Sequence, residues 1–342
     1  MPVPIHTIVK ENRYSRQILL PEVGPEGQRR LGKCKALVVG CGALGTYALS
    51  YLVRAGVGQV QVVDRDIVDI TNLQRQALFT ERDVGRPKAK VAEERLREVN
   101  SEIEIRGTVT DVNHTNIESI IKGATVVVDA TDNMDTRFLV NDACVKNEIP
   151  WVYGGAVGVT GMVMPVTKDG PCLRCVFPSL PQPGDLPTCD TVGIINTLPS
   201  VVASLEVTEA FKIMLRQEPT KELMVLDLWQ AELQKVKVKK NPECACCGER
   251  DFIYLQAKER KLVASLCGRN AVQIVPAKPL AHDLEDMRRS LAKLGDVTMG
   301  DGVLTFKAKG VDLTVFADGR TIVGGTTDVA RAKTIFSKYI GD

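Results

Sequence analysis

The sequence predicts an α/β protein with a doubly wound, mostly parallel sheet followed by a small C-terminal α+β domain. Three observations carry that expectation. An apolar run, Lys35 to Val39, ends in the glycine turn Gly40-Cys41-Gly42-Ala43-Leu44-Gly45, a helical stretch follows, and the β-branched run Val60 to Val63 ends in Asp64. The run Thr125 to Asp129 is nearly all valine, which suits a strand buried on both faces. After Cys247-Gly248 short alternating and helical periodicities mix over the remaining chain, the pattern of a separate α+β unit.

Taken in order, Tyr47 to Ala55 reads as the helix of a βαβ unit whose acid, Asp64, stands 19 positions beyond Gly45. From Pro87 the apolar positions Ala89, Ala92, Leu96 and Val99 recur with helical spacing. Beyond Trp151 the glycines 154, 155, 158 and 161 punctuate short strand-like pieces up to Val166. Four prolines between Phe177 and Cys189 predict a long exposed loop. A helix over Pro199 to Leu215 and a strand over Met224 to Leu228 complete the first domain, placed at 1–250. The second, 251–342, is expected to hold two strands within 262–276, a helix over His282 to Leu294 with Leu284, Met287, Leu291 and Leu294 at helical spacing, a hairpin at Asp318-Gly319, and a last helix with Val329, Ala332 and Phe336 on one face.

With 342 residues there is length for about two domains, and 44% hydrophobic with 25% charged residues is a globular composition. A net charge of +2 argues against bulk attraction to nucleic acid or an anionic membrane. No apolar run is long enough to cross a bilayer, and the N-terminus lacks the basic and apolar pattern of a secretion signal. The cytoplasm is the expected compartment, where a close cysteine pair reads as metal ligand or redox chemistry.

A glycine turn at a helix N-terminus brings backbone amides to a phosphate, and Asp64 is suited to ribose hydroxyls. NAD, FAD and ATP all fit that, and so does a turn that merely packs strand on helix. The choice comes from Asp66, from Asn72-Leu73-Gln74-Arg75-Gln76 and from Gly85-Arg86-Pro87-Lys88. Two cations beyond the turn, Arg75 and Lys88, suit a triphosphate better than a dinucleotide, unless they form only a solvated face. In Thr131-Asp132-Asn133-Met134-Asp135-Thr136-Arg137, Asp132 falls where ligands bind open sheets and is a natural Mg²⁺ ligand beside phosphates. Asp135 and Arg137 could equally cap the next helix. The pairs Cys172-x-x-Cys175 and Cys244-x-x-Cys247 can make one closed tetrahedral Zn²⁺ site, although Cys246 leaves the register open and unligated thiols are the alternative.

Together with Arg13-Tyr14-Ser15-Arg16-Gln17, these motifs make residues 11 to 249 resemble the ThiF/MoeB/HesA group, relatives of the ubiquitin-activating enzymes with a Rossmann-like sheet. The resemblance implies ATP-dependent adenylation of the C-terminal glycine of a small ubiquitin-like sulfur carrier ending in Gly-Gly, within a homodimer. It further implies that Arg16 reaches the partner subunit's nucleotide, that Asn72, Arg75 and Lys88 stabilise the phosphates, that Gly40, Gly42, Gly45, Asp64, Asp66 and Gln76 frame the nucleotide, and that Asp132 handles Mg²⁺. Cys189, after the proline-rich loop, either takes the carrier covalently or is incidental. Cys267, the one late cysteine, is expected to be buried, so the second domain recognises a carrier or partner and supplies no sulfur. Two alternatives remain, an NAD-dependent oxidoreductase and a catalytically silent nucleotide-binding scaffold.

Overall fold

In the computed structural model of the chain, residues 13–182, 184–256, 263–266, 270–276, 283–308 and 310–341 are described. His6, Cys267 and His282 lie outside them. The chain divides into two units, 1–257 and 258–342.

The first apolar run forms strand β1 (Lys35–Val39), and its side chains alternate between two cores. Ala36 and Val38 pack with Leu49, Val91 and Val202, while Leu37 and Val39 pack with Phe138, Trp151 and Met164. A strand buried on both faces must be covered by helices on both, which is the two-sided architecture the valine-rich runs predict. β2 (Gln59–Asp64), β3 (Glu104–Val109), β4 (Val126–Asp129) and β5 (Trp151–Val157) join it in parallel, in the order β3-β2-β1-β4-β5. Strand order reverses between β1 and β4, so the crevice beyond their carboxyl ends is the switch point where such sheets take ligands. The helices Ala43–Arg54, Lys88–Val99 and Leu198–Leu215 contribute to one core, and Ile117–Ile121 and Met134–Lys146 to the other.

The glycine-rich stretch differs from expectation. It forms not short pieces but a regular hairpin of seven-residue strands, β5 and β6 (Thr160–Val166), extended by antiparallel β7 (Glu222–Asp227) and β8 (Glu232–Lys237). Its glycines answer to packing: a Cβ on Gly154 would lie 1.9 Å from Glu206 Oε1, and one on Gly161 2.4 Å from Val202. Strand β8 escapes the sequence because every residue in it is exposed, leaving no apolar alternation to read.

In the second unit β9 (Val263–Leu266), β10 (Ala271–Ile274), β11 (Asp296–Gly300), β12 (Val303–Ala308), β13 (Val311–Phe316) and β14 (Thr321–Gly324) form one antiparallel sheet ordered β11-β12-β13-β14-β10-β9. The helices Leu284–Leu291 and Val329–Tyr339 supply Met287, Leu291, Ala332 and Phe336 to its core. Two expectations fail here. Leu294 falls beyond its helix and is exposed, and Val329, the first residue of the last helix, is exposed too; Ile340 takes the buried place instead.

Candidate active site

Three glycines shape the turn after β1 in different ways. Gly40 has φ +99° and lies so close to Ala130 that a Cβ would fall 2.4 Å from its carbonyl oxygen. A Cβ on Gly45 would meet the Gly40 oxygen at 2.2 Å. Gly42 is different: it caps helix Ala43–Arg54 without a side-chain bond, and a Cβ there would meet only Gln76 Nε2, at 3.9 Å. Gly40 and Gly45 therefore close the turn, and Gly42 leaves space before the positive end of the helix.

Asp64, at the end of β2, locks this turn. Its Oδ2 accepts from the Cys41 amide and its Oδ1 from the Asp66 amide, both at 2.6 Å. Each oxygen keeps a further lone pair for a ribose hydroxyl. Burial pushes the Asp64 carboxyl above its ordinary range, opposed by the nearby Lys88 ammonium. Lys88 is buried as the first residue of its helix, where the dipole disfavours a cation. Asp66 compensates, with Oδ2 at 3.5 Å from Lys88 Nζ and its carbonyl accepting from the Lys88 amide at 2.9 Å.

The run Asn72 to Gln76 lies beside a 3₁₀ turn, Ile70–Asn72. Asn72 is buried and its Oδ1 accepts from the Asp69 amide, which leaves its NH₂ with no protein partner among the described residues. Arg75 Nη1 donates to the Thr71 carbonyl at 2.9 Å, and among the described residues Arg75 pairs with no carboxylate. Gln76 is buried with Oε1 unpartnered. The helix N-terminus at Gly42 with the Gln76 carboxamide facing it, and the Asn72 amide and Arg75 guanidinium on the same short run as Gln76, make a donor set suited to phosphate and to a nucleoside's polar edge.

Asp132 follows β4 in the loop that abuts Gly40 and is exposed, with Oδ1 accepting, among the described residues, only from Asn133 Nδ2 at 3.2 Å. A single exposed carboxylate next to a phosphate site is the sort of ligand set Mg²⁺ uses, completed by water and substrate oxygens. The choice left open for Arg137 falls on structure: its Nε donates to buried Asp129 Oδ2 at 3.0 Å. Asn133 is the helix cap, accepting from the Thr136 amide at 2.8 Å. Sequence reasoning missed buried Glu206, whose two oxygens have no hydrogen-bond partner among the described residues; desolvation, then the Asp129 charge, push its carboxyl well above the ordinary range. Its signal was an acid, one of two with Glu209, in an otherwise mostly apolar helix.

Arg16 is not brought to this cluster by any contact. Around it Arg13 donates to the Val99 carbonyl, the Tyr14 hydroxyl accepts from Asn100 Nδ2, and Gln17 donates to Gln28 and to the Ala55 carbonyl. The motif pins its own backbone and leaves Arg16 exposed, beside exposed Leu19 and Leu20.

Cys172, Cys175, Cys244 and Cys247 converge, with their sulfurs within 4.8 Å of one another. Two of the separations are 3.7 Å (Cys172 to Cys244) and 3.5 Å (Cys175 to Cys247). A tetrahedral ZnS₄ centre with Zn–S near 2.3 Å has S···S edges of about 3.8 Å, so the donor set fits zinc. The neighbouring Cys172 thiol and burial push Cys175 up to about 12, and burial with Cys175 pushes Cys247 up to about 11, a crowding that a divalent cation relieves. The register question closes: Cys246 lies outside the quartet and accepts from Asn141 Nδ2 at 3.1 Å. Cys189 starts the short helix Cys189–Val192 and is half-buried rather than free in an exposed loop, with its thiol donating to the Ala156 carbonyl at 3.4 Å.

Comparison with known proteins agrees with this arrangement. The sulfur carrier protein ThiS adenylyltransferase of Bacillus subtilis is 43% identical over 335 residues, covering 96% of this chain and 99% of that protein. A sulfur carrier protein adenylyltransferase of Thermus thermophilus is 41% identical over 267 residues, 75% of this chain and 96% of that one. The E. coli MccB crystal structure with ATP superposes with a TM-score of 0.62 at 24% identity, over 70% of this chain and 75% of that one, a likeness of fold. The family described as ThiF matches residues 14–246, and with relatives of that identity and coverage the chain belongs to it.

Proposed function

We propose that the chain is an ATP-dependent adenylyltransferase that activates the C-terminal glycine of a small ubiquitin-like sulfur-carrier protein ending in Gly-Gly. The observation that supports this reading is a pair of donors with no acid partner among the described residues, the Asn72 amide and the Arg75 guanidinium, on the same short run as Gln76, whose Nε2 faces the open side of Gly42. An NAD-dependent oxidoreductase gives them no purpose, and a silent nucleotide-binding scaffold, which would also use them, is told apart by turnover.

The carrier's carboxylate oxygen attacks the α-phosphorus of ATP, the bond to the β-phosphate breaks, and pyrophosphate leaves with that electron pair. A carboxylate is ionised at neutral pH, so the step needs no general base, and no histidine belongs to the proposed site. Asn72, Arg75 and Lys88 hold the phosphates; Asp64, Asp66, Gln76 and the glycine turn hold the nucleoside. Bound Mg²⁺, held by Asp132, supplies neutralisation of phosphate charge. Zn²⁺ in the cysteine quartet is structural, because four protein ligands leave no position for substrate. Arg16, exposed and with no ion pair among the described residues, serves the partner subunit's nucleotide in a homodimer. Cys189 accepts the activated carrier, with its sulfur attacking the acyl carbon and AMP leaving. The cytoplasm suits a chain that works with reduced thiols.

The test is pyrophosphate exchange into ATP. Exchange that requires a carrier with a free terminal glycine supports the reading, and no exchange with any Gly-Gly carrier encoded in the same genome refutes it.

A further inference from the structure

The magnesium-handling role proposed for Asp132 raises a geometric question, since among the described residues the side chain is hydrogen-bonded only to its neighbour Asn133. Its place depends on the loop 130–133. That loop leaves β4 through Asp129, which is fully buried and whose Oδ1 accepts from both the amide and the hydroxyl of Thr131, at 3.0 and 2.7 Å. The other oxygen, Oδ2, takes the Arg137 Nε. Arg137 goes further: its Nη2 donates to the Thr131 carbonyl at 2.8 Å and to the Gly154 carbonyl on β5 at 2.9 Å, and the guanidinium lies 5.3 Å from the centre of the Tyr153 ring. One planar fork thus spans the end of β4, the loop after it and the neighbouring strand. A lysine, with a single point charge, is unable to reproduce those three directions.

We propose that Arg137 is a positioning residue for adenylation, fixing the loop so that Asp132 meets the metal-bound phosphates of a nucleotide seated on the glycine turn. This rests on the adenylation reading. The loop has little room to drift toward the turn, because the Ala130 carbonyl already lies against Gly40. It is restrained in the other direction chiefly by the Arg137 fork. A buried ion pair that merely stabilises the fold would serve Asp129 alone; the bonds to Thr131 and Gly154 are what tie the pair to the site.

The experiment uses the full chain and pyrophosphate exchange with a Gly-Gly carrier, measured against Mg²⁺ and ATP concentration, with thermal melting in parallel. Arg137→Lys keeps a cation beside Asp129 and loses the fork. We expect about a tenfold rise in half-saturating Mg²⁺ and about a tenfold fall in kcat, with KM for ATP within about twofold, since small misplacements in a positioned site cost rate more than nucleoside binding. The double variant Asp129→Asn with Arg137→Gln removes both charges without stranding either, and is expected to show the same split. It decides the question if the lysine variant does not fold. Wild-type Mg²⁺ dependence and kcat in the folded variants, with only a lowered Tm, overturn the proposal. A wild-type chain that performs no exchange overturns the adenylation reading instead, so the two failures are distinguishable.

Discussion

Arg75 and Glu206 show how opposite residue environments give opposite consequences. Arg75 is held by a carbonyl and opposed by no carboxylate among the described residues, so its charge is available to phosphate. Arg75→Ala should lower the rate of pyrophosphate exchange by about 10² or more, the usual cost of removing one aimed transition-state donor, and steady-state exchange measures it. Glu206 is buried with no hydrogen-bond partner among the described residues, and desolvation raises its folded-state pKa above the ordinary glutamate value of 4.5. Between that value and the raised one the unfolded chain releases the proton and the folded chain keeps it, so stability falls as pH rises. Glu206→Gln should remove this slope: in denaturant melts the variant gains on the wild type as pH rises above 4.5, and its relative advantage shrinks as pH falls back toward that value. A constant difference across that range would show that Glu206 titrates normally. Neither residue's environment is written in its own neighbours in sequence.

At the scale of elements, the cysteine quartet draws together two knuckles more than sixty positions apart. Asn141 on helix Met134–Lys146 touches both, accepting from the Leu173 amide at 2.9 Å and donating to Cys246. Because ligands, metal and fold are linked, Cys175→Ser should release the bound zinc, lower Tm by several degrees and leave the glycine turn's nucleotide contacts formed; metal content by mass spectrometry and melting curves check it. The spacing of the two pairs made this centre legible in the sequence, while the exclusion of Cys246 was not, since it depends on which sulfur Asn141 engages. The hairpin β5–β6 was legible only as a run of glycines. Its regularity comes from Glu206 and Val202 pressing on Gly154 and Gly161, a contact between segments more than forty residues apart.

At the scale of the molecule, an adenylation site completed by Arg16 from a second subunit makes a sharp prediction. Arg16→Ala and Arg75→Ala chains should each exchange poorly alone. Mixed, they form heterodimers in which one site carries both substitutions and the other neither, so activity should recover to about a quarter of the wild-type level. No recovery after subunit exchange is demonstrated would place Arg16 in its own site or outside any. The second unit has its own core of Val272, Leu304, Phe306 and Val315 against two helices. The match to the Bacillus relative extends into it, whereas the Thermus relative is 96% covered by 75% of this chain.

The sequence by itself determined the parallel sheet, the glycine turn, the acid that locks it and the four clustered cysteines, because each is a local pattern imposed by backbone geometry or ligand spacing. Tertiary structure alone decided that Gly42 rather than Gly40 faces open space, that Arg137 joins β4 to β5, that burial raises the Glu206 pKa and that Cys189 rests on Ala156. Those outcomes depend on which distant atoms share a buried volume. Burial and the hydrogen bonds it demands are set by packing between segments, and no window along the chain contains them.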